Sequence, residues 1–162
     1  MFKVMDLRNA TISDFEDLYL LRCEDTNIKW TGHTEAPSKE GLSGWFAKAL
    51  SNPTREIYLY WDNDNCLGYL YVDVVNDDER EIAYGISEKQ QGKGYASSMI
   101  SDCIQLLRET GIKVVRAAIS DANAASEHVA TKNGLYKTEE YYYSELPLIC
   151  GKSKFYIWKR SI

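Results

Sequence analysis

The hydrophobic period of this chain switches abruptly, from alternation in residues 81–87 to a helical stripe of Ala96, Met99, Ile100, Cys103 and Leu107. Alternation marks a strand and a period of about 3.6 marks a helix, so the switch predicts a strand running directly into a helix. Gln91-Gly92-Lys93-Gly94-Tyr95-Ala96 bridges the two. A glycine-rich turn in this place exposes backbone N–H groups at the positive end of the helix dipole, where phosphate is favoured. Gly92 and Gly94 let a ligand approach closely, because no Cβ stands in the way. Ala96 is small enough to leave the helix start open, and Lys93 adds a mobile positive charge.

Three phosphate-binding patterns compete here, beside a plain glycine turn that holds nothing. A Walker loop needs GxxxxGK followed by Ser or Thr, but Lys93 is followed by Gly94 and the upstream glycine is missing. A dinucleotide fingerprint needs GxGxxG at the start of a βαβ unit. Gly92 and Gly94 are followed by Tyr95, Ala96 and Ser97, so its third glycine is absent. The remaining pattern is [Gln/Arg]-x-x-Gly-x-[Gly/Ala], which Gln91, Gly94 and Ala96 satisfy.

Around this junction the chain reads as alternating elements. Residues 4–7 suggest a first strand. Ser13 or Asp14 caps a helix reaching about Cys23, with Phe15, Leu18, Tyr19 and Arg22 at helical spacing. Residues 24–37 (EDTNIKWTGHTEAP) read as irregular, and residues 38–50 as a second helix closed by Ser51-Asn52-Pro53. Residues 57–61 and 66–75 form a hairpin around a polar turn, and residues 81–87 a third strand. After the helix that Gly111 ends, residues 113–120 form a strand. Residues 124–132 form a short helix, capped by Asn123 and stopped by Gly134. Two last strands fall near 136–143 and 155–159. The expected order is β-α-α-β-β-β-α-β-α-β-β: about seven strands and four helices in one α/β (α+β) domain spanning 1–162.

Composition removes several function classes. At 44% hydrophobic and 27% charged, the chain can bury a core and is not a disordered segment. A net charge of −5 argues against a nucleic-acid binder that works by neutralising phosphates. It suits a cationic substrate, and equally plain solubility. Cys23, Cys66, Cys103 and Cys150 are far apart and form no CxxC pair, and His33 and His128 are the only histidines, so no metal site is expected. The start of the chain lacks the apolar run of a signal peptide, and no stretch approaches the ~18 apolar residues of a membrane span. A cytoplasmic protein with reduced thiols, acting without membrane or nucleic acid, is expected.

A second segment joins the glycine turn. Asn123-Ala124-Ala125-Ser126, followed by Lys132-Asn133-Gly134-Leu135-Tyr136, is similar to an Asn-x-x-Ser and Lys-x-Gly-Phe pair, with Leu135 in the usual Phe place. On these two motifs and the element order, the chain resembles the GNAT superfamily of acyl-CoA N-acyltransferases. The resemblance implies a mixed, largely antiparallel central sheet and acetyl-CoA as co-substrate, without a metal. Main-chain groups near Ile86 would pair with the pantetheine arm like an added strand at a splay, and an N–H there would polarise the thioester carbonyl. Amides of Gln91, Gly92, Lys93, Gly94, Tyr95, Ala96 and Ser97 would hold the pyrophosphate. Asn123, with Ser126 nearby, would hydrogen-bond the pantetheine; Asn123 serves equally as a simple helix cap.

Such a protein transfers acetyl to a primary amine, which must lose a proton before it attacks. Glu81 is the candidate base, since it opens the strand leading to the turn, where many relatives carry a Glu. Alternation puts it on one face with Ala83 and Gly85, small residues able to line a channel. An exposed strand-end carboxylate is the competing reading, and His33 a second candidate. Many relatives carry a Tyr four residues before the second-motif glycine; here that place is Ala130, an absence that resembles the branch acetylating N-terminal amines of ribosomal proteins, whose members often lack it. Tyr84, Tyr136, Tyr141, Tyr142 and Tyr143 are the alternatives. Acceptor recognition, of a small-molecule amine or a peptide N-terminus, is expected in residues 24–37 and in a loop over 144–154. Glu24, Asp25 and Glu35 would attract a cation there, and Trp30 would stack on one. Tyr-rich last strands leave room for a homodimer. Two other classes stay open: a degenerate member that binds acyl-CoA without turnover, and an interaction module with an unrelated glycine turn.

Overall fold

The computed structural model describes residues 5–162. Its seven strands form one sheet in the order β1-β2-β3-β4-β5-β7-β6, with every neighbouring pair antiparallel except β4 and β5. The strands are β1 (Met5–Asn9), β2 (Arg55–Asp62), β3 (Asn65–Val74), β4 (Glu79–Ile86), β5 (Val114–Ser120), β6 (Tyr136–Leu146) and β7 (Gly151–Ser161). The first strand was expected at 4–7; Val4 lies outside the described residues.

Helices cover both faces. α1 (Phe15–Arg22) and α3 (Lys39–Leu50) pack on one face, where Leu18, Leu21, Phe46, Leu59, Tyr69 and Tyr71 form a core. α4 (Tyr95–Glu109) and α5 (Ala124–Lys132) take the other, over Leu70, Val72, Ile82, Val115 and Ile119. The strand alternation of Leu70 and Val72 with Tyr69 and Tyr71 therefore feeds two cores, and all four side chains are buried. α4 buries Met99, Ile100, Cys103, Ile104 and Leu107, the stripe its sequence displays with Ile104 added. Ser38 caps α3 by accepting the Gly41 N–H at 3.0 Å, and Asn123 caps α5.

Three local expectations are corrected. A 3-10 turn (Ile12–Asp14) precedes α1; Asp14, one of the two expected caps, is the N-cap residue of α1, but its side chain accepts from the Thr11 N–H at 2.8 Å rather than from α1. Residues 24–37 are not irregular throughout: they contain α2 (Asp25–Trp30), so there are five α-helices rather than about four. Residues 144–154 are not a loop, because β6 and β7 continue their pairing to Leu146 and Gly151, leaving only a short turn between them. No helix among the described residues is long and apolar enough to cross a membrane.

Candidate active site

β4 and β5 run side by side only where Glu79, Arg80 and Glu81 pair with Val114, Val115 and Arg116. Beyond Glu81 these two parallel strands diverge, and residues 82–86 border a widening gap. On its other side β4 stays paired with β3 as far as Ile86. The Ser87 N–H donates to the Leu67 carbonyl of β3 at 2.8 Å. Backbone groups alternate sides along a strand, so the Ile86 N–H is turned toward the gap. A gap of this kind accepts an extended chain as an added strand.

A 3-10 turn, Glu88–Gln90, then leads from β4 into the glycine turn. Gly92 and Gly94 both have left-handed backbones, φ 77° and 81°, and a Cβ added at either would meet nothing within 4 Å. The space before the turn is thus open, and glycine keeps it so. α4 starts on Gly94 with no side-chain cap, and the first-turn amides of a helix have no acceptor within it. Gln91, Gly92 and Lys93 are exposed, and Lys93 Nζ donates to Gln90 Oε1 at 3.3 Å. Backbone donors, an unobstructed cradle and a nearby ammonium fit a pyrophosphate. Asn133, beyond the end of α5, holds the helix start in place: its Nδ2 donates to Ser97 O at 3.3 Å and to Ser97 Oγ at 3.1 Å. That role was missed in the sequence, where Asn133 counted only as part of a motif.

Asn123 caps α5 by accepting the Ser126 N–H at 3.1 Å. The Ser126 hydroxyl lies 2.8 Å from the Tyr84 hydroxyl, so a side chain of the unpaired β4 segment reaches the first turn of α5. Burial pushes the Tyr84 phenol above its ordinary range, partly opposed by the Ser126 hydrogen bond. Ala130 is buried one turn further along the same helix. Tyr136, Tyr141, Tyr142 and Tyr143 are exposed on β6, the sheet edge, with β7 and β5 between them and β4. Of these tyrosines, Tyr84 is the one beside the gap.

Glu81 points to the opposite face of the sheet. Its Oε1 accepts from Arg116 Nε at 3.0 Å, and Arg116 also lies 3.6 Å from Glu79 and 3.8 Å from Glu140. The carboxylate thus sits at the closed end of the gap, about 16 Å of strand from Ile86. Ala83, on the same face, is exposed, and Gly85 is covered by Asn27. His33 and His128 are both exposed, His128 on α5. Glu24 is engaged rather than free, bonding to Ser87 and Glu88; Asp25 and Glu35 are exposed and Trp30 half-buried. Burial pushes the Cys66 and Cys103 thiols up to about 12. Among the described residues, no group of three His, Cys, Asp or Glu side chains is placed to hold a metal ion.

Comparison with known proteins places this geometry. Residues 5–136 match the model of the acetyltransferase (GNAT) domain. No curated protein matches the chain in sequence. Among solved structures, the spermidine N-acetyltransferase from Vibrio cholerae in complex with CoA and spermine superposes with a TM-score of 0.84 at 16% identity, covering 97% of this chain and 95% of that one. An aminoglycoside acetyltransferase in complex with coenzyme A gives a TM-score of 0.77 at 18% identity, covering 97% and 95% of the two chains. A Salmonella typhimurium protein assigned as an acetyltransferase, solved with its cofactor acetyl-CoA, gives 0.74 at 16% identity, with 97% and 93% covered.

Proposed function

The chain belongs to the GNAT family of acetyltransferases, and we propose that it moves the acetyl group of acetyl-CoA directly onto a primary amine within a ternary complex. The divergence of β4 from β5, opening onto the uncapped start of α4, carries this reading. Acetyl-CoA, when bound, supplies an activated thioester and a thiolate leaving group. The amides of Gly92, Lys93, Gly94, Tyr95, Ala96 and Ser97 hold its pyrophosphate, bordered by Gln91, whose N–H is turned to the Glu88 carbonyl at 3.4 Å. The gap beside Ile86, with Asn123 and Ser126 opposite, takes the pantetheine arm. The Ile86 N–H, aimed into the gap, is placed to stabilise charge on the carbonyl oxygen. Ala83 leaves the acceptor face open, and Glu81 takes the amine's proton through intervening water. The hydroxyls of Tyr84 and Ser126 stand beside the gap on the other face, where a departing thiolate can be protonated.

Burial holds the Cys66 and Cys103 thiols far above neutrality, which makes these two poor nucleophiles for an acetyl-cysteine intermediate. A small amine is the acceptor class that the solved relatives suggest, since they are named for spermidine and aminoglycosides. A peptide N-terminus, the acceptor of the ribosomal-protein branch, is the alternative. Thermal shift with coenzyme A, followed by thiol release against spermidine, an aminoglycoside and peptides with free N-termini, tests the reading. Coenzyme A is expected to raise Tm and one amine class to release thiol, with intersecting initial-rate plots. Stabilisation without release for any amine favours a binding protein, and no stabilisation removes the cofactor assignment.

A further inference from the structure

α2 is six residues long, too short for a helix to persist by itself in water. Its start is held by an exchange of carboxylates with the turn that precedes α4. Glu24, the N-cap residue of α2, sends its side chain away from its own helix. Glu24 Oε2 accepts from the Glu88 N–H at 2.9 Å and from the Ser87 hydroxyl at 3.2 Å. Glu88 answers, its Oε1 accepting from the Thr26 N–H at 2.6 Å in the first turn of α2. Each carboxylate serves amides at the start of the other's helical segment, where acceptors and negative charge are both favoured. Gln91, in the glycine turn itself, adds a third tie by donating from Nε2 to Thr26 Oγ1 at 3.2 Å.

The rest of α2 is seated across the sheet. Asn27 is buried, with Nδ2 donating to Leu21 O at 2.8 Å, and its Oδ1 would stand 2.5 Å from a Cβ added at Gly85. A Cβ at 85 would also meet the Tyr69 ring at 2.5 Å, so glycine lets Asn27 and Tyr69 both close over β4. Past the helix end, a Cβ at Gly32 would stand 2.9 Å from the Glu145 carbonyl of β6. The segment therefore runs from the end of β4 to β6, on the face opposite α4 and α5. That is the face on which Ala83 is open and Glu81 lies.

We propose that Glu24 and Glu88 are positioning residues that fix α2 as the roof of the acceptor site and couple its placement to occupancy of the glycine turn. The inference rests on the cofactor reading above. Anything that orders residues 91–97 orders Gln91, whose N–H donates to the Glu88 carbonyl at 3.4 Å; these are the two residues whose side chains hold Thr26, so α2 stiffens with them. Donor binding thereby prepares the surface against which the acceptor packs.

Hydrogen exchange with coenzyme A as the probe separates the two readings. In the unaltered protein, coenzyme A is expected to slow exchange about fivefold or more both in residues 91–97 and in residues 26–31. Glu88→Ala should keep the protection at the turn and lose it at α2, and Glu88→Gln, which retains an acceptor oxygen, should restore it. In turnover with the amine that the panel selects, Glu88→Ala should raise the acceptor KM about tenfold and leave the acetyl-CoA KM within about twofold. A turn protected by coenzyme A while α2 stays unchanged in the unaltered protein overturns the coupling. So does a Glu88→Ala variant whose α2 still responds, or one in which both KM values rise together. Protection nowhere overturns the cofactor reading instead, and the coupling with it.

Discussion

Glu81 and Arg116 face each other across the one parallel pair among the described strands, at the point where their pairing ends. The carboxylate has two roles available: to neutralise a guanidinium that also lies near Glu79 and Glu140, or to take a proton relayed from the amine. These roles differ in what the substitution Glu81→Gln does. A base loses the acid limb of its pH–rate profile and about a hundredfold in kcat, with coenzyme A affinity unchanged. A structural partner loses some stability, leaving the profile as it was. Measuring kcat against pH for Glu81→Gln decides it, and an unaltered acid limb removes Glu81 from the proton path. Asn123 illustrates the same duality without conflict. Its carbonyl oxygen is committed to the Ser126 N–H, while a side-chain amide still has two donors to offer. Of all the candidate residues, those in the glycine turn were readable in advance, since a left-handed backbone and an open approach are local demands that glycine meets alone. Tyr84 was one of several tyrosines, and only the packing of α5 against β4 singled it out.

At the scale of elements, the turn and α4 act as a unit, and two glycines with the same backbone make a controlled comparison. Gly94 starts α4 with φ 81° and Gly111 follows its end with φ 83°; a Cβ at either meets nothing within 4 Å. A tryptophan at either position costs similar backbone strain, about 1–2 kcal/mol. Gly94→Trp is expected to abolish the thermal shift with coenzyme A, and Gly111→Trp to leave it intact. Loss in both, or retention in both, would dissociate the turn from cofactor binding. α4 was legible because its apolar stripe lies within its own residues, and its glycine start and glycine stop directly beside them. α2 was not. Its first turn is held by Glu88 and Gln91, more than sixty residues further along the chain, and no propensity within six residues signals that.

The whole molecule is a sheet with a core on each face, and the two cores carry different duties. The α4–α5 side borders the glycine turn and the Tyr84–Ser126 pair, whereas the α1–α3 side stabilises the sheet that aims β4 and shares its face with Glu81, Ala83 and α2. Phe46 is fully buried in the second core, in contact with the ring of Phe15. Phe46→Ala should cost about 3–5 kcal/mol and lower Tm by roughly 10 °C, while coenzyme A still binds below the transition. Circular dichroism melts with and without coenzyme A check this; a variant that keeps its Tm would mean that the α1–α3 core contributes little to stability. The seven strands, four of the helices and the open glycine turn at residues 91–96 were written in period, cap and turn residues. These are short-range preferences, and they act before the chain has closed on itself. The divergence of β4 from β5, the pairing of Glu81 with Arg116, the extension of β6 and β7 through residues 144–154, and the seating of α2 arise from contacts between distant segments. Strand register and reciprocal caps are energies of pairs, and a single stretch of sequence holds only one member of each.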